Sequence, residues 1–250
     1  MVTLLALVAV PAAGWFTQGW SGATTLVVYW CETVMAILFN LVRITVHRRW
    51  SPRRGHFRYN PRESGQGRNA TFLSGFALVA LSFAAVHGVF LVALVFLLNH
   101  NKVGYLAELN WRSVTFGCLN AMLFLAVDFL VDLLTLRNWS FLQLEQTANQ
   151  AIGRVMVVHL TLVLGFAGVA ATNTPDALFG VFVALKSMAS LSYALPQWEP
   201  AMPPQWLSNV MNRVPNVHPG KRFEDVWAAD RDKERRRRDW NEQPWVTPSS

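Results

Sequence analysis

Six apolar stretches constrain this sequence more than any other feature. They cover residues 2–16, 24–46, 71–98, 113–136, 152–172 and 177–195. A segment of about 20 mostly apolar residues is long enough to cross a bilayer as a helix. A helix also satisfies the backbone polar groups of such a segment, which water cannot reach there. The sequence therefore predicts an all-α integral membrane protein, built as a six-helix transmembrane bundle.

The first stretch leaves the number of spans open. Residues 4–14 resemble the apolar part of a signal peptide and end in Pro-Ala-Ala-Gly. A signal peptide normally carries Lys or Arg before its apolar part, and this sequence has none there. We therefore expect the first stretch to be retained as a helix, whereas its cleavage would leave five spans.

The composition agrees with a membrane protein. Hydrophobic residues make up 52% of the 250 residues and charged residues only 15%, whereas a soluble domain carries about 25% charged residues. The net charge of +7 could indicate a nucleic-acid partner. The basic residues, however, lie beside the apolar stretches, where they set membrane topology. We therefore expect no nucleic-acid partner.

The basic residues are divided unevenly between the two sides of a six-helix arrangement. Nineteen of the 22 Lys and Arg residues fall on one side, chiefly in residues 43–68 and after Pro196. Two, Lys102 and Arg112, fall on the other side. The positive-inside rule then places both termini in the cytoplasm, and the chain in the inner membrane of a bacterium. Besides the lipid bilayer itself, anionic lipid headgroups are expected as partners of loop 47–70 and of the tail.

The character of the chain changes at residue 196. Residues 1–195 are predicted to form the transmembrane helical domain, and residues 196–250 a basic cytoplasmic tail containing Pro and Trp. Four prolines between residues 196 and 204 prevent the sixth helix from continuing. The pattern after them predicts a short helix over 206–214 and a charged helix over 223–240. We interpret the tail as solvated, with attraction to lipid headgroups as the alternative.

Polar residues interrupt the apolar stretches. A charged side chain in hydrocarbon is costly, so it normally has a partner or lines a wet cavity, and it often marks a functional position. The candidates for an intramembrane site are Glu32, Asn40, Arg43, His87, Asp128, Asp132, His159 and Lys186.

Helical spacing places several of these residues on shared faces. Steps of three and four residues in the second stretch connect Glu32, Ala36, Asn40, Arg43 and His47. Steps of four in the fourth stretch connect Asn120, Phe124, Asp128 and Asp132. Because lipid would penalise either polar stripe, we expect both to face the bundle interior or a wet cavity.

The distance from the centre of each stretch gives an approximate depth in the membrane. At about 1.5 Å per residue, Glu32 and His87 both lie about 5 Å to the outer side of the midplane. Asp128 and His159 both lie about 5 Å to the inner side, and Lys186 lies near the midplane. These depths predict two hydrogen-bonded pairs, Glu32 with His87 and Asp128 with His159. Lys186 is placed to neutralise either carboxylate.

Cofactor chemistry finds little support in these residues. A haem between two helices needs two histidines at matching depth, whereas His87 and His159 differ by about 9 Å in this approximation. A metal ion needs three ligands, which Asp128, Asp132 and His159 could supply, but no metal-binding spacing such as HExxH is present. We therefore expect no cofactor and no metal ion, and we assign no catalytic residue.

Three classes of function remain. The residues favour a structural or accessory membrane protein, such as a subunit of a larger assembly, in which the polar groups hold helices together. The first alternative is a small proton- or ion-coupled transporter, because acid and histidine chains relay protons in membranes. The second is an intramembrane enzyme that uses the Glu32–His87 pair or the group of Asp128, Asp132 and His159.

Short motifs in the second and third stretches point to a family. The second stretch contains Tyr29-Trp30-Cys31-Glu32, and the third contains His87-Gly88-Val89-Phe90. With Gly19-Trp20 near the first stretch, these motifs resemble an uncharacterised bacterial multi-pass membrane family that carries Tyr-Trp-x-Glu-Asn and His-Gly-x-Phe helices. The resemblance covers residues 1–195 and implies the multi-pass architecture. It draws attention to Glu32 and His87 but implies no activity.

Overall fold

The helices of the chain are seen in a computed structural model that describes residues 20–59, 71–100, 108–172, 200–214 and 220–246, with isolated residues between 174 and 189. They are α1 (Gly22–Trp50), α2 (Arg54–Phe57), α3 (Phe72–His100), α4 (Trp111–Thr135), α5 (Phe141–Thr172), α6 (Gln205–Met211) and α7 (Phe223–Glu242). A 3-10 turn, Leu136–Asn138, follows α4. The prediction of an all-helical fold is confirmed over these residues.

Helices α1 and α4 begin at the same end of the bundle. Ser21 caps α1 by accepting a hydrogen bond from Thr24 N at 3.1 Å, and Asn110 caps α4 in the same way through Ser113 N at 3.1 Å. The two caps are joined because Asn110 N donates to Thr24 Oγ1 at 3.2 Å, and Ser21 Oγ donates to the Glu108 carbonyl. The two helices therefore run side by side in the same direction.

Helix α1 lies at the centre and packs against α3, α4 and α5. Its side chains Ile37 and Ile44 are almost fully buried in the main apolar core, which also contains Phe76 of α3 and Phe141 of α5. The outward faces of α3 and α4 expose large apolar side chains instead, with Leu78 72% and Leu134 84% exposed. Such an apolar exterior is what a helix bundle presents to lipid.

Three helical segments among the described residues are long and apolar enough to cross a membrane: Gly22–Trp50, Phe72–Leu97 and Trp111–Asn138. They correspond to the second, third and fourth predicted spans. The fifth predicted span lies within α5, but α5 begins earlier, at Phe141, and is not among the three. Residues 2–16 lie outside the described residues, and residues 177–195 are described only at isolated positions. The count of six spans therefore stays a prediction.

The tail folds back onto the bundle. Arg54 N donates to Gln243 O at 2.8 Å and Trp245 N donates to Pro52 O at 3.1 Å, which joins the end of α7 to the start of α2. Phe57 stacks on Trp245 with ring centroids 4.6 Å apart. The short helix and the charged helix predicted in the tail are present as α6 and α7. Our interpretation of the whole tail as solvated is wrong for α7. Arg237, Trp240 and Glu242 in its last two turns contact α5 and α2.

Candidate functional site

The polar stripe of α1 faces the interior of the bundle. Three predicted site residues belong to this stripe: Glu32, Asn40 and Arg43. Each of them is at most 5% exposed. His47, one turn further along, is fully buried. Asn40 Nδ2 donates to the Ala36 carbonyl at 2.9 Å. The stripe thus carries charge and hydrogen-bonding groups along the central helix, where lipid does not reach them.

Arg43 is held by two carboxylates of α4. Its Nη2 atom lies 2.7 Å from Asp132 Oδ2 and 3.1 Å from Asp128 Oδ2. The guanidinium carbon lies 5.5 Å from the ring centroid of Phe129. The Arg43 side chain is only 4% exposed, whereas that of Asp128 is 40% exposed. Two carboxylates share one guanidinium, so the cluster carries an excess negative charge when both are ionised.

This ion cluster corrects the predicted partner of Asp128. We expected His159 or Lys186 beside Asp128, and the structure places Arg43 there. Lys186 lies outside the described residues. The sequence counts Arg43 both among the basic residues of 43–68 and among the intramembrane candidates, and the spacing of the α1 stripe places it on the buried face. The i, i+4 carboxylates of α4 were the signal that a buried cation was required.

His87 and His159 meet between α3 and α5. Their ring centroids are 5.4 Å apart and the planes are inclined by 70°. The predicted difference of about 9 Å in depth is therefore wrong. The approximation took the centre of each apolar stretch as the centre of its helix. Helix α5 extends about three turns before its apolar stretch, so the two centres do not coincide.

The predicted hydrogen bond between Glu32 and His87 is not formed. His87 Nδ1 lies 3.2 Å from the Phe83 carbonyl and therefore carries the hydrogen. His87 Nε2 is buried without a hydrogen-bond partner among the described residues. The ring of His87 faces His159 instead, and Glu32 is buried elsewhere on α1.

The two family-type motifs nevertheless meet. Trp30 Nε1 donates to the Ala84 carbonyl of α3 at 2.9 Å. A Cβ atom at Gly88 would lie 2.9 Å from Trp30 Cζ2, so only glycine admits the indole ring there without displacement. The Tyr-Trp motif of α1 and the His-Gly motif of α3 therefore form one helix contact, carried by Trp30 and Gly88.

A pair of buried histidines, which the sequence did not reveal, closes the basic end of α1. His47 Nε2 lies 3.1 Å from the Trp139 carbonyl, which can only accept, so this nitrogen carries the hydrogen. His47 Nδ1 must then accept from His56 Nε2, at 2.8 Å. His56 Nδ1 is left as a buried acceptor without a partner. His56 lies within the loop 47–70, and nothing in its spacing indicates burial.

Burial keeps His56 neutral. It lowers the pKa of His56 to about 3, with further lowering by His47 and by the positive charges of Arg48 and Arg53. The ring edge also contacts Phe141, with centroids 5.1 Å apart. A proton added to His56 Nδ1 would have no acceptor among the described residues and no solvent in this position.

A second unpredicted cluster fastens α7 to α5. Arg237 Nη2 lies 2.8 Å from Glu145 Oε1, and Tyr59 donates to the same oxygen at 2.5 Å. Arg237 also bonds both carboxylate oxygens of Glu234 at 2.7 Å, which together with Arg238 lowers the pKa of Glu234 to about 2. Burial and the neighbouring Glu145 raise the pKa of Tyr59, so its hydroxyl stays protonated.

The start of α5 is bound by the tail as well. Glu242 Oε2 accepts a hydrogen bond from Phe141 N at 2.7 Å and so satisfies a free N–H group in the first turn of α5. Arg53 Nη1 donates to the Glu242 carbonyl at 3.2 Å. We call α7 and residues 243–246, with their contacts to residues 52–59 and α5, the tail clamp.

Over the residues that the structure describes, these contacts define a class: an all-helical protein with three helices able to cross a membrane, in which buried polar groups are bonded between helices. The chain belongs to the family described as "Family of unknown function (DUF6498)", which matches residues 1–207. This confirms the resemblance to an uncharacterised family. No curated protein and no solved structure matches the chain. Among the described residues, no group of three or more His, Cys, Asp or Glu could hold a metal ion. Helix α7 lies beyond the matched region.

The neutral state of His56 predicts acid sensitivity. Its folded pKa lies below the unfolded value of about 6.5, so the unfolded chain binds the extra proton. The contribution of neutral His56 to the free energy of unfolding is therefore fully present above about pH 6.5. It is lost as the pH decreases from about 6.5 to 3, by up to about 1.4 kcal/mol per pH unit. The thermal midpoint of the purified protein should fall between pH 7.5 and pH 5. His56→Gln, whose amide can still donate to His47, should flatten this dependence, and His100→Gln should not. Equal slopes in all three proteins would contradict it.

The tail clamp predicts a selective role for Arg237. Replacing it with Met leaves Glu145 buried without its cation, which should destabilise the clamp by about 3 kcal/mol. Chymotrypsin should then cleave Arg237→Met after Trp240 or Trp245 much faster than it cleaves wild type. Arg236→Met removes an exposed arginine of the same helix and serves as the control. Equal cleavage rates for the two variants would show that Arg237 does not hold the tail.

Proposed function

We propose that this chain is a non-enzymatic structural or accessory protein of a bacterial inner membrane, spanning it six times and serving as a subunit of a larger assembly. Its intramembrane polar residues hold helices together rather than act on a substrate. The observation that carries the proposal is the ion cluster of Arg43, Asp128 and Asp132, because the charge of the central helix is bonded directly to the neighbouring helix.

The energetics of burial favour this role. A buried cation is stable only when carboxylates compensate it, and removal of one partner leaves an uncompensated charge that costs about 3–5 kcal/mol. Arg43 therefore fixes the rotation and register of α1 against α4. The hydrogen bond between His47 and the Trp139 carbonyl fixes α1 against the segment that follows α4. The hydrogen bond from Trp30 to the Ala84 carbonyl fixes α1 against α3. Polar side chains that bond across helices are a common means of holding membrane bundles together.

The distribution of charge supports the proposed orientation. The basic end of α1, with Arg48 and Arg49, lies beside α2, where Arg48 contacts the ring of Phe57. Helix α2 in turn packs against the Arg-rich α7. The opposite end carries the capping contacts of Ser21 and Asn110, which are uncharged. A cytoplasmic location for the basic end follows from the positive-inside rule. The exposed Arg235 and Arg236 of α7 would then be available to anionic lipid headgroups.

One observation favours the alternative of a proton- or ion-coupled transporter. Asp128 and Asp132 share one guanidinium, and the Asp128 side chain is 40% exposed. A carboxylate in excess of its cations can bind a proton or another cation and release it again. In that case the cluster would carry the transported charge. Transport would then require the ionisable groups of Asp128 and Asp132 and not only the packing of their side chains.

Replacement of the whole ion cluster separates the two functions. Arg43→Met alone should lower the thermal midpoint strongly, because two carboxylates of a helix able to cross a membrane lose their cation. The triple variant Arg43→Met, Asp128→Leu, Asp132→Leu should recover most of the midpoint, since an apolar replacement of a buried ion group is often neutral. If the role is structural, the triple variant also joins the same assembly as the wild-type chain, and the assembly migrates to the same position on a native gel.

Proton flux provides the opposing measurement. Wild-type protein in liposomes with a trapped pH dye should dissipate an imposed pH gradient no faster than the triple variant. A flux present in wild type and abolished in the folded triple variant would replace the structural role by transport.

The proposed orientation predicts a labelling pattern in intact cells. Single cysteines are introduced as Asn60→Cys or Gly104→Cys, with Cys31 and Cys118 both replaced by Ser. A membrane-impermeant maleimide should label position 104, on the outer side, and should label position 60 only after the cells are opened. Labelling of position 60 in intact cells would reverse the orientation.

A further inference from the structure

Helices α1 and α4 approach each other closely near their first third. A Cβ atom at Gly117 would lie 2.8 Å from the side chain of Val28, so the glycine permits an approach that any other residue would block. Gly117 precedes Cys118, and Val28 lies one helical turn before Cys31, on the same face of α1. The close contact therefore brings the segments that carry the two cysteines together.

The two thiols lie close together across this contact. Cys31 of α1 and Cys118 of α4 are the two cysteines of the chain. Cys118 packs against the apolar cluster that contains Val28, one turn from Cys31, which brings the two thiols within interaction distance of one another. Both are free thiols and both are half-buried. The contact lies between the joined caps at Thr24 and Asn110 and the Arg43 ion cluster. Fixed points on both sides thus hold the sulfur atoms in register.

The position of the pair decides which reactants can reach it. Cys31 lies about 14 Å along α1 from its start at Gly22, and Cys118 about 11 Å along α4 from Trp111. Both lie inside segments able to cross a membrane. An oxidant dissolved in the bilayer reaches this depth, whereas a protein in the aqueous phase does not. Exposed apolar side chains beside Cys118, Phe116 and Leu119, offer such an oxidant an apolar surface.

We propose that Cys31 and Cys118 are a redox-active dithiol, which a quinone dissolved in the bilayer oxidises to a disulfide between α1 and α4. The S–H bonds of both cysteines break and one S–S bond forms. The two protons and two electrons pass to the two oxygens of the quinone, which becomes a quinol. Quinones accept electrons from dithiols in bacterial membranes. The disulfide would lock the interface that Arg43 sets, whatever the chain's role in an assembly.

The test uses the full-length protein in lipid nanodiscs, reduced and freed of reductant. Ubiquinone-1 is added, the reaction is stopped with acid, and remaining thiols are counted by the gel shift that a polyethylene-glycol maleimide causes. The wild-type chain should lose both reactive thiols, remain monomeric on a non-reducing gel, and form one ubiquinol per chain by ultraviolet absorbance. Its thermal midpoint should rise on oxidation and return to its initial value with dithiothreitol.

A displaced cysteine provides the matched control. The variant Cys118→Ser, Leu119→Cys keeps two cysteines at the same depth but turns one to the exposed face of α4. It should keep both thiols reactive, and Cys31→Ser should keep one. The chromatographic profile of each variant establishes that it is folded.

Three results would overturn the proposal. The first is that wild-type thiols stay reactive with ubiquinone-1 even though diamide, a small permeant oxidant, converts them to a disulfide. The second is that neither reagent oxidises them. The third is that the displaced variant is oxidised as fast as wild type, which would show that proximity in the fold is not the cause.

Discussion

The burial of Arg43 is the interaction on which the rest of the bundle depends. A guanidinium that is only 4% exposed must meet carboxylates, and those of Asp128 and Asp132 occur one turn apart on α4. Meeting both carboxylates sets the rotation and the height of α1 relative to α4. The same register places His47 against the Trp139 carbonyl and Cys118 against the apolar cluster of Val28, one turn from Cys31. One charged contact thus determines several neutral ones.

The tail clamp adds a second level of order at the basic end. The backbone of residues 52–54 bonds residues 243–245, and Arg237 neutralises Glu145 within α5. Glu242, at the end of α7, supplies a hydrogen-bond partner for the start of α5. Helix α7 lies beyond the region that the family matches. The tail clamp therefore holds α2 and α5, which lie in the family region, by means of α7, which lies outside it.

The wrong pairings have a common physical origin. Helical periodicity states which residues of one helix share a face, but not which neighbouring helix that face meets. Depth from an apolar stretch fails where a helix is longer than its stretch, as in α5. The missing neighbour information accounts for the wrong pairing of Glu32 with His87, and the depth error in α5 contributes to the wrong pairing of Asp128 with His159. The pairs observed instead are Asp128 with Arg43 and His87 with His159.

The sequence by itself determined the all-helical character, the apolar spans in α1, α3 and α4, and the burial of the polar stripe containing Arg43. Each follows from local rules, because length, hydropathy and 3.6-residue spacing act within one segment. Only the tertiary structure decided that Arg43 meets α4, that His56 is buried and that α7 packs on α5. These contacts join residues that are 85 or more positions apart in the sequence. The exception is the contact between His47 and His56, which are nine positions apart. They depend on how faces of different helices match in shape and charge, which no single segment encodes.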